Sequence, residues 1–136
     1  MKIHEKNLDA ELERLAKETV DAAYKLHSTL GPGLLESVYE TFFCHELKRR
    51  GLKVEKQVLL PLTYEGLTFD GGLKMDILIE GRLIVELKAV ELLLPIHKVQ
   101  LTTYLKLSGR QFGLLINFNV PMIKDGIRRV ILSGNK

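Results

Sequence analysis

Two neighbouring strand-like segments between residues 74 and 88 constrain the fold of this chain more than any other feature. Both consist mainly of Ile, Leu and Val, and a Glu-Gly pair typical of a tight turn separates them. Three ionisable residues, Asp76, Glu86 and Lys88, interrupt the apolar sequence. Because buried charges cost free energy unless something compensates them, the segment predicts a hairpin that carries a polar site.

The chemistry of this hairpin depends on its register. Side chains alternate across a strand, so Glu86 and Lys88 share one face. A two-residue turn pairs Asp76 with Val85, whereas a three-residue turn pairs it with Glu86. The second register holds two carboxylates roughly 5 Å apart, which predicts a divalent metal ion such as Mg²⁺ or Mn²⁺ between them. The alternative is a solvated hairpin face on which Lys88 pairs with one carboxylate, and the sequence leaves both open.

Turn residues and hydrophobic periodicity divide the rest of the chain into elements in the order ααβββαββ, an α/β fold. An Asp-Gly-Gly sequence at residues 70–72 predicts a bulge within the second strand. The predicted elements are helices at 8–29, 34–50 and 95–108, and strands at 54–64, 67–79, 82–90, 112–118 and 126–132. The second helix is expected to bury Leu35, Val38, Phe42 and Leu47.

Composition limits the organisation and the location of the chain. With 136 residues and 46% hydrophobic content, one core is expected, so residues 1–136 are interpreted as a single domain with flexible ends at 1–7 and 133–136. No apolar stretch approaches the ~20 residues that a membrane span needs, and the first residues lack a secretory signal, which favours a cytoplasmic protein. Cys44 is the sole cysteine, which excludes an intrachain disulfide, and its neighbours favour a place in the core.

A net charge of +3 is compatible with a polyanionic partner but does not establish one. Modest, salt-sensitive binding to DNA is expected if the basic side chains converge on one face. The candidate residues for such a face are Lys48, Arg49, Arg50, Lys98, Lys124, Arg128 and Arg129.

Several motifs together resemble the GxxExxY family of the PD-(D/E)XK nuclease superfamily. They are Gly33-x2-Glu36-x2-Tyr39, Asp76, Glu86-Leu87-Lys88, Gln100-x3-Tyr104 and the segment 113–118. The resemblance extends from the first helix to about Arg129 and implies a restriction-endonuclease-like core with a mixed central sheet flanked by helices. One departure is that Lys74-Met75 precedes the strand Asp, where the superfamily's name has Pro.

The resemblance also implies roles for individual residues. Glu36, Asp76 and Glu86 are the implied metal ligands together with the backbone carbonyl of Leu87, and Lys88 is the implied catalytic lysine beside them. The implied contacts with substrate, or with the residues around the metal, are Gln100, Tyr104, Tyr39 and His97.

Structural roles remain open for several of these residues. Glu36 suits the first turn of a helix, where an acid is favoured by the helix dipole. Tyr39 is equally typical of a half-buried position on an amphipathic helix. Gln100 and Tyr104 are equally typical of a polar seam at the border of the third helix. His97 is also compatible with a solvent-exposed position.

Three functional hypotheses follow. The first is a Mg²⁺-dependent nuclease that hydrolyses phosphodiester bonds of DNA, in preference to RNA, through attack by activated water. The second is a non-catalytic module that binds nucleic acid or protein on the same scaffold, since a fold does not fix a function. The third is a subunit that forms a homodimer through the apolar stripe of the first helix.

Overall fold

The structure is a computed structural model that describes residues 10–132. The predicted beginning of the first helix at residues 8 and 9, and the predicted flexible ends, lie outside the described residues. The elements are α1 (Ala10–Leu30), α2 (Glu36–Arg49), β1 (Val54–Tyr64), β2 (Leu67–Ile79), β3 (Leu83–Lys88), α3 (Pro95–Ser108), β4 (Phe112–Asn117), a 3₁₀ turn (Ile123–Gly126) and β5 (Ile127–Ile131).

This order confirms the predicted α/β arrangement, and the bounds of β1, β2 and α3 are those that the turn residues indicate. The strand β3 begins one residue later than predicted because Arg82 belongs to the preceding turn, where its N–H donates to the carbonyl of Ile79 at 3.0 Å. It also ends two residues earlier, at Lys88, and the backbone of Val90 bonds to the side chain of Asn117. The helix α2 begins two residues later than predicted, at Glu36, after an extended Leu35.

The five strands form one sheet in the order β1-β2-β3-β4-β5. Neighbouring strands are antiparallel except for β3 and β4, which are parallel and connected through α3. The mixed central sheet that the resemblance implied is therefore confirmed. The predicted bulge is also present, because the β1–β2 register shifts between Leu60 and Leu62, opposite the Asp-Gly-Gly sequence of β2.

Helices cover both faces of the sheet. On one face, α1 and α2 pack against inward-facing strand residues such as Val85 and Leu114, and Cys44 is buried there as predicted. On the other face, Leu101 and Leu105 of α3 pack against Ile84 and neighbouring strand residues. We refer to these as the α1/α2 side and the α3 side of the sheet.

The buried face of α2 differs from the prediction. Leu35 and Phe42 are exposed, whereas Tyr39 and Phe43 are fully buried. Both buried rings contact the ring of Phe118, with centroid distances of 4.8 Å and 5.6 Å. Phe118 follows β4, far along the chain, and its position selects the face of α2 that turns inward.

The apolar stripe of α1 lies inside the molecule. Leu12, Leu15, Ala16, Ala22 and Ala23 are all buried in the core of the α1/α2 side. The proposal that this stripe joins two copies is therefore wrong, because the chain's own α2 and sheet cover it. Separately, no helix within residues 10–132 is long and apolar enough to cross a membrane.

Candidate metal centre

The structure adopts the three-residue turn between β2 and β3. Ile79 pairs with Leu83, and Ile77 pairs with Val85, so continuation of the register brings residue 76 opposite residue 86. The turn requires left-handed backbone at Glu80 (φ 53°) and at Gly81 (φ 67°). This is the register on which the metal-site hypothesis depends.

The regular pairing of β2 with β3 ends at Ile77, and beyond it the carboxylates of Asp76 and Glu86 accept the hydrogen bonds that connect the two strands. We refer to Asp76 and Glu86 as the acidic pair. The backbone N–H of Asp76 donates to Oε2 of Glu86 at 3.2 Å, and the N–H of Leu87 donates to Oδ2 of Asp76 at 3.0 Å. Each carboxylate thus accepts a hydrogen bond from the opposite strand. These reciprocal bonds fix the two acidic side chains beside each other.

The strand β2 is irregular at this point. Met75 packs with the α3-side cluster and Ile77 with the α1/α2-side cluster, although residues two apart on a regular strand share a face. On the neighbouring strand β1, Gln57 has a positive φ of 55°. Between the pairs Lys56–Ile77 and Val58–Met75, the register gives no pair for Asp76. The irregularity directs the carboxylate of Asp76 toward β3.

Glu86 is more buried than Asp76, with 3% of its surface exposed. Burial, and after it the negative charge of Asp76, raise the pKa of its carboxyl group to about 8, while Lys88 acts in the opposite direction. A buried carboxyl group beside a second, half-buried one shares a proton with it or requires a cation. The site therefore has the electrostatic property expected of a cation-binding pair.

Glu36 approaches the same site from the first turn of α2. Partial burial raises its pKa, the charge of Asp76 raises it further, and Lys88 lowers it. The structure thus brings Glu36, Asp76, Glu86 and Lys88 to one region where β2, β3 and α2 meet. Within residues 10–132, however, no three His, Cys, Asp or Glu side chains lie close enough to form a complete metal cluster.

The donor set fits a hard divalent cation. Mg²⁺ binds oxygen ligands, retains several waters, and is commonly held by one or two carboxylates plus substrate phosphates. Asp76 and Glu86 provide such a pair, and Glu36 adds negative charge nearby. The carbonyl of Leu87 stays a predicted ligand.

The hydroxyl group of Tyr39 bonds to the backbone of the loop between α1 and α2. Its hydroxyl donates to the carbonyl of Gly31 at 2.7 Å and accepts from the N–H of Leu34 at 3.1 Å. The N–H of Gly33, whose φ is 97°, donates to Oδ1 of Asn119 at 3.0 Å. Tyr39 therefore secures the turn that leads into Glu36, and its contact with a substrate or with the residues around a metal stays a prediction.

The variant Tyr39→Phe is expected to lower the free energy of unfolding by about 1–2 kcal/mol, because the Gly31 carbonyl and Leu34 N–H lose a buried partner while the ring still packs. Urea denaturation measures this effect. Tyr24→Phe is the control, since Tyr24 is largely exposed and should change stability little. Equal stability of the two variants would contradict the role assigned to the Tyr39 hydroxyl.

On α3, the side chains of Gln100 and Tyr104 contact each other. Nε2 of Gln100 donates to the hydroxyl of Tyr104 at 3.2 Å, and both side chains are half-buried. Glu86 lies two residues after Ile84 on β3, so both side chains project to the α3 side of the sheet. His97 caps α3, because its Nδ1 accepts from the N–H of Leu94 at 3.0 Å.

Sequence reasoning missed a supporting role for Asn117. This side chain is buried, donates to the carbonyl of Val90 at 2.9 Å and accepts from the N–H of Val90 at 3.0 Å. Since Asn117 is the β4 partner of Lys88, these bonds fix the chain directly after that lysine. The signal was available, because an Asn that ends an apolar strand is an unusual buried residue.

Acidic side chains engage Arg50 and Arg129, two of the basic residues considered for a DNA-binding face. Arg50 forms ion pairs with Glu18, Asp21 and Glu46 between α1 and α2. Arg129 instead contacts Glu13 and lies over the ring of Phe112. These acidic partners neutralise much of the charge of Arg50 and Arg129.

A mixed sheet with helices on both faces, and with paired carboxylates and a lysine where two strands diverge, is the architecture of a restriction-endonuclease-like protein. The chain belongs to the PD-(D/E)XK nuclease superfamily, whose family model matches residues 13–130. The Lys74-Met75 departure therefore does not exclude membership.

The chain is also similar to a solved structure, a crystal structure of SSO0001, with a TM-score of 0.55 and 21% sequence identity. The match covers 92% of this chain but 61% of that one, so this chain spans less than two thirds of that protein's length. At this identity the likeness shows a shared fold. A search of curated proteins found no match.

Proposed function

We propose that the chain is a divalent-metal-dependent nuclease of the GxxExxY family that hydrolyses phosphodiester bonds in DNA, in preference to RNA. The observation that carries the proposal is the reciprocal hydrogen bonding of Asp76 and Glu86, with Glu86 buried and Lys88 two residues further along β3. Membership of the superfamily supports a nucleic acid as substrate. We further propose a single cytoplasmic domain.

Asp76 and Glu86 would hold the metal, with Glu36 and the Leu87 carbonyl as further ligands. When bound, Mg²⁺ or Mn²⁺ would supply Lewis-acid chemistry, polarising a phosphate oxygen and lowering the pKa of an attacking water. The buried position of Glu86 strengthens its attraction for a cation, because little water screens the charge.

Lys88 would act on the substrate. Its charge already reaches Glu36 and Glu86, and in a complex it would stabilise the negative charge that develops on the phosphate. Gln100 and Tyr104 would contact the substrate or the metal's surroundings from α3. His97 is engaged in the helix cap and would contribute a phosphate contact only through its other ring nitrogen.

The variant Lys88→Met tests the catalytic part of the proposal. It is expected to reduce the rate of DNA cleavage in Mn²⁺ by about 10²-fold, because a group that stabilises the transition state is lost while the carboxylate ligands remain. Cleavage of plasmid DNA, linear DNA and RNA would be measured alongside Lys74→Met, which removes an exposed lysine from β2 of the same hairpin.

Wild-type cleavage rates in Lys88→Met would contradict the role of Lys88. If the wild-type protein binds Mn²⁺ and nucleic acid but cleaves neither DNA nor RNA, the chain is a binding module on a nuclease scaffold. Faster cleavage of RNA than of DNA would reverse the proposed substrate preference.

A further inference from the structure

The strands β1 and β2 extend well beyond the rest of the sheet. The pairing of β2 with β3 ends at Ile77, whereas β1 and β2 continue to pair as far as Tyr64 and Leu67. We refer to residues 58–75 as the hairpin arm. An isolated two-stranded hairpin is only marginally stable in water, so an arm of this length requires a surface to pack on.

The outer part of the arm is amphipathic. Leu62 pairs with Phe69 and Tyr64 pairs with Leu67, and directly paired residues project to the same face. This apolar face is exposed, with 80% of Tyr64, 76% of Leu67 and 69% of Phe69 accessible to solvent. The opposite face carries Thr63 and Thr68, whose hydroxyls hydrogen-bond each other at 2.8 Å.

The apolar face of the arm continues the interior of the molecule. Val58 pairs with Met75, and both pack in the α3-side cluster, while Leu60 pairs with the fully buried Leu73. The same face thus passes from the core to the tip without a polar interruption in β1. A contiguous exposed apolar surface of this kind marks an interaction site.

Charge decides against a nucleic acid as the partner of this surface. The charged residues between positions 60 and 73 are Glu65 and Asp70, and this stretch contains no Lys or Arg. Exposed aromatic rings can stack on bases, but single-strand binding surfaces combine stacking with positive charge. The outer part of the arm, residues 60–73, is acidic and repels phosphates, so its partner is a protein surface.

The area of the patch matches a second copy of the chain. Aromatic side chains bury about 150–250 Å² each, so the exposed apolar side chains provide roughly 500 Å² per chain and about 1,000 Å² for a symmetric pair, just under the ~1,200 Å² of stable interfaces and typical of a weak, reversible one. In a twofold dimer the same patch meets itself, which requires no second complementary surface.

We infer that the apolar face of the hairpin arm, formed by Leu62, Tyr64, Leu67 and Phe69, is the interface of a homodimer. The two arms pack face to face and cover the side chains that each chain leaves exposed. This interface is separate from the acidic pair and from α1, and the inference does not depend on the proposed nuclease activity.

Sedimentation equilibrium across a concentration series tests the inference. The wild-type chain should approach twice its 15.5 kDa mass at about 50 µM, the micromolar affinity expected of a small interface. The double variant Tyr64→Thr, Phe69→Thr should remain monomeric at that concentration, since Thr keeps the strand propensity but removes the apolar area. Thr63→Ser on the opposite face is the control and should dimerise like the wild type.

An engineered thiol provides a second measurement. In Leu67→Cys the new thiol should form an intermolecular disulfide under mild oxidation, whereas the native Cys44 is buried and should stay reduced. Circular dichroism checks that the variants keep their fold. A monomeric wild-type chain, or a dimer that persists unchanged in the double variant, would overturn the inference, as would stable occupation of the arm by a different protein in place of a second copy.

Discussion

Replacing Asp76 with Asn is expected to abolish Mn²⁺ binding and to slow phosphodiester cleavage by at least about 10³-fold, the equivalent of several kcal/mol of transition-state stabilisation. The amide oxygen of Asn can still accept the hydrogen bond from Leu87, so the divergence of β2 and β3 should survive. What the variant loses is one negative charge beside Glu86. Isothermal titration calorimetry measures the metal affinity, and a cleavage assay measures the rate.

The matched control is Asp125→Asn, which removes an exposed carboxylate from the 3₁₀ turn and should leave both quantities unchanged. Glu86→Ala removes the second carboxylate of the acidic pair and should also abolish Mn²⁺ binding. If the wild type, Asp76→Asn and Glu86→Ala all bind Mn²⁺ equally, or all fail to bind it, the acidic pair is not a metal site.

The strand and helix boundaries were accessible from the sequence because turn residues mark them. Gly66 and Gly109 adopt the positive φ angles that glycine accommodates, and Pro95 occupies the first turn of α3. These are local effects, since the residue that ends an element also determines its own backbone conformation. The bulge in β2 belongs to the same class, with Gly71 at a φ of 71°.

The register of the β2–β3 hairpin was not accessible in this way. Both turn lengths satisfy the alternation of apolar residues, and a two-residue turn would accept the same positive φ angles at Glu80 and Gly81. The side chain of Glu80 accepts a hydrogen bond from the N–H of Lys53 at 2.7 Å, and its N–H donates to the Lys53 carbonyl at 2.9 Å. The chain before β1 therefore supports this turn, and a distant contact of this kind leaves no mark on the hairpin sequence.

Tyr39 shows the same limitation within a motif. The motif places Gly33, Glu36 and Tyr39 at a fixed spacing, and the structure shows what Gly33 and Tyr39 do in the turn. Gly33 and Tyr39 shape the turn, and Glu36 interacts through its charge with Asp76 and Lys88. A tyrosine at the helix position that faces Phe118 becomes structural for reasons that depend on the tertiary fold.

The metal-free protein is expected to lose stability as the pH rises from about 5 to about 8. The pKa of Glu86 is raised to about 8 in the folded state, first by burial and then by Asp76, whereas an unfolded chain has an ordinary carboxyl group. Between these values the folded state binds the additional proton, so the free energy of unfolding decreases with increasing pH, by on the order of 3 kcal/mol in total. The raised pKa of Glu36 acts in the same direction.

Glu86→Gln isolates this effect, because the amide is isosteric and does not ionise, while all other titrating groups stay the same. Thermal denaturation in a chelating buffer should show a weaker decline for Glu86→Gln than for the wild type, and the variant should be the more stable protein at about pH 8.5. Saturating Mn²⁺ should raise the wild-type melting temperature more at high pH than at low pH, since metal binding requires the deprotonated carboxylates. Parallel pH profiles for the two proteins would show that burial beside Asp76 does not govern the ionisation of Glu86.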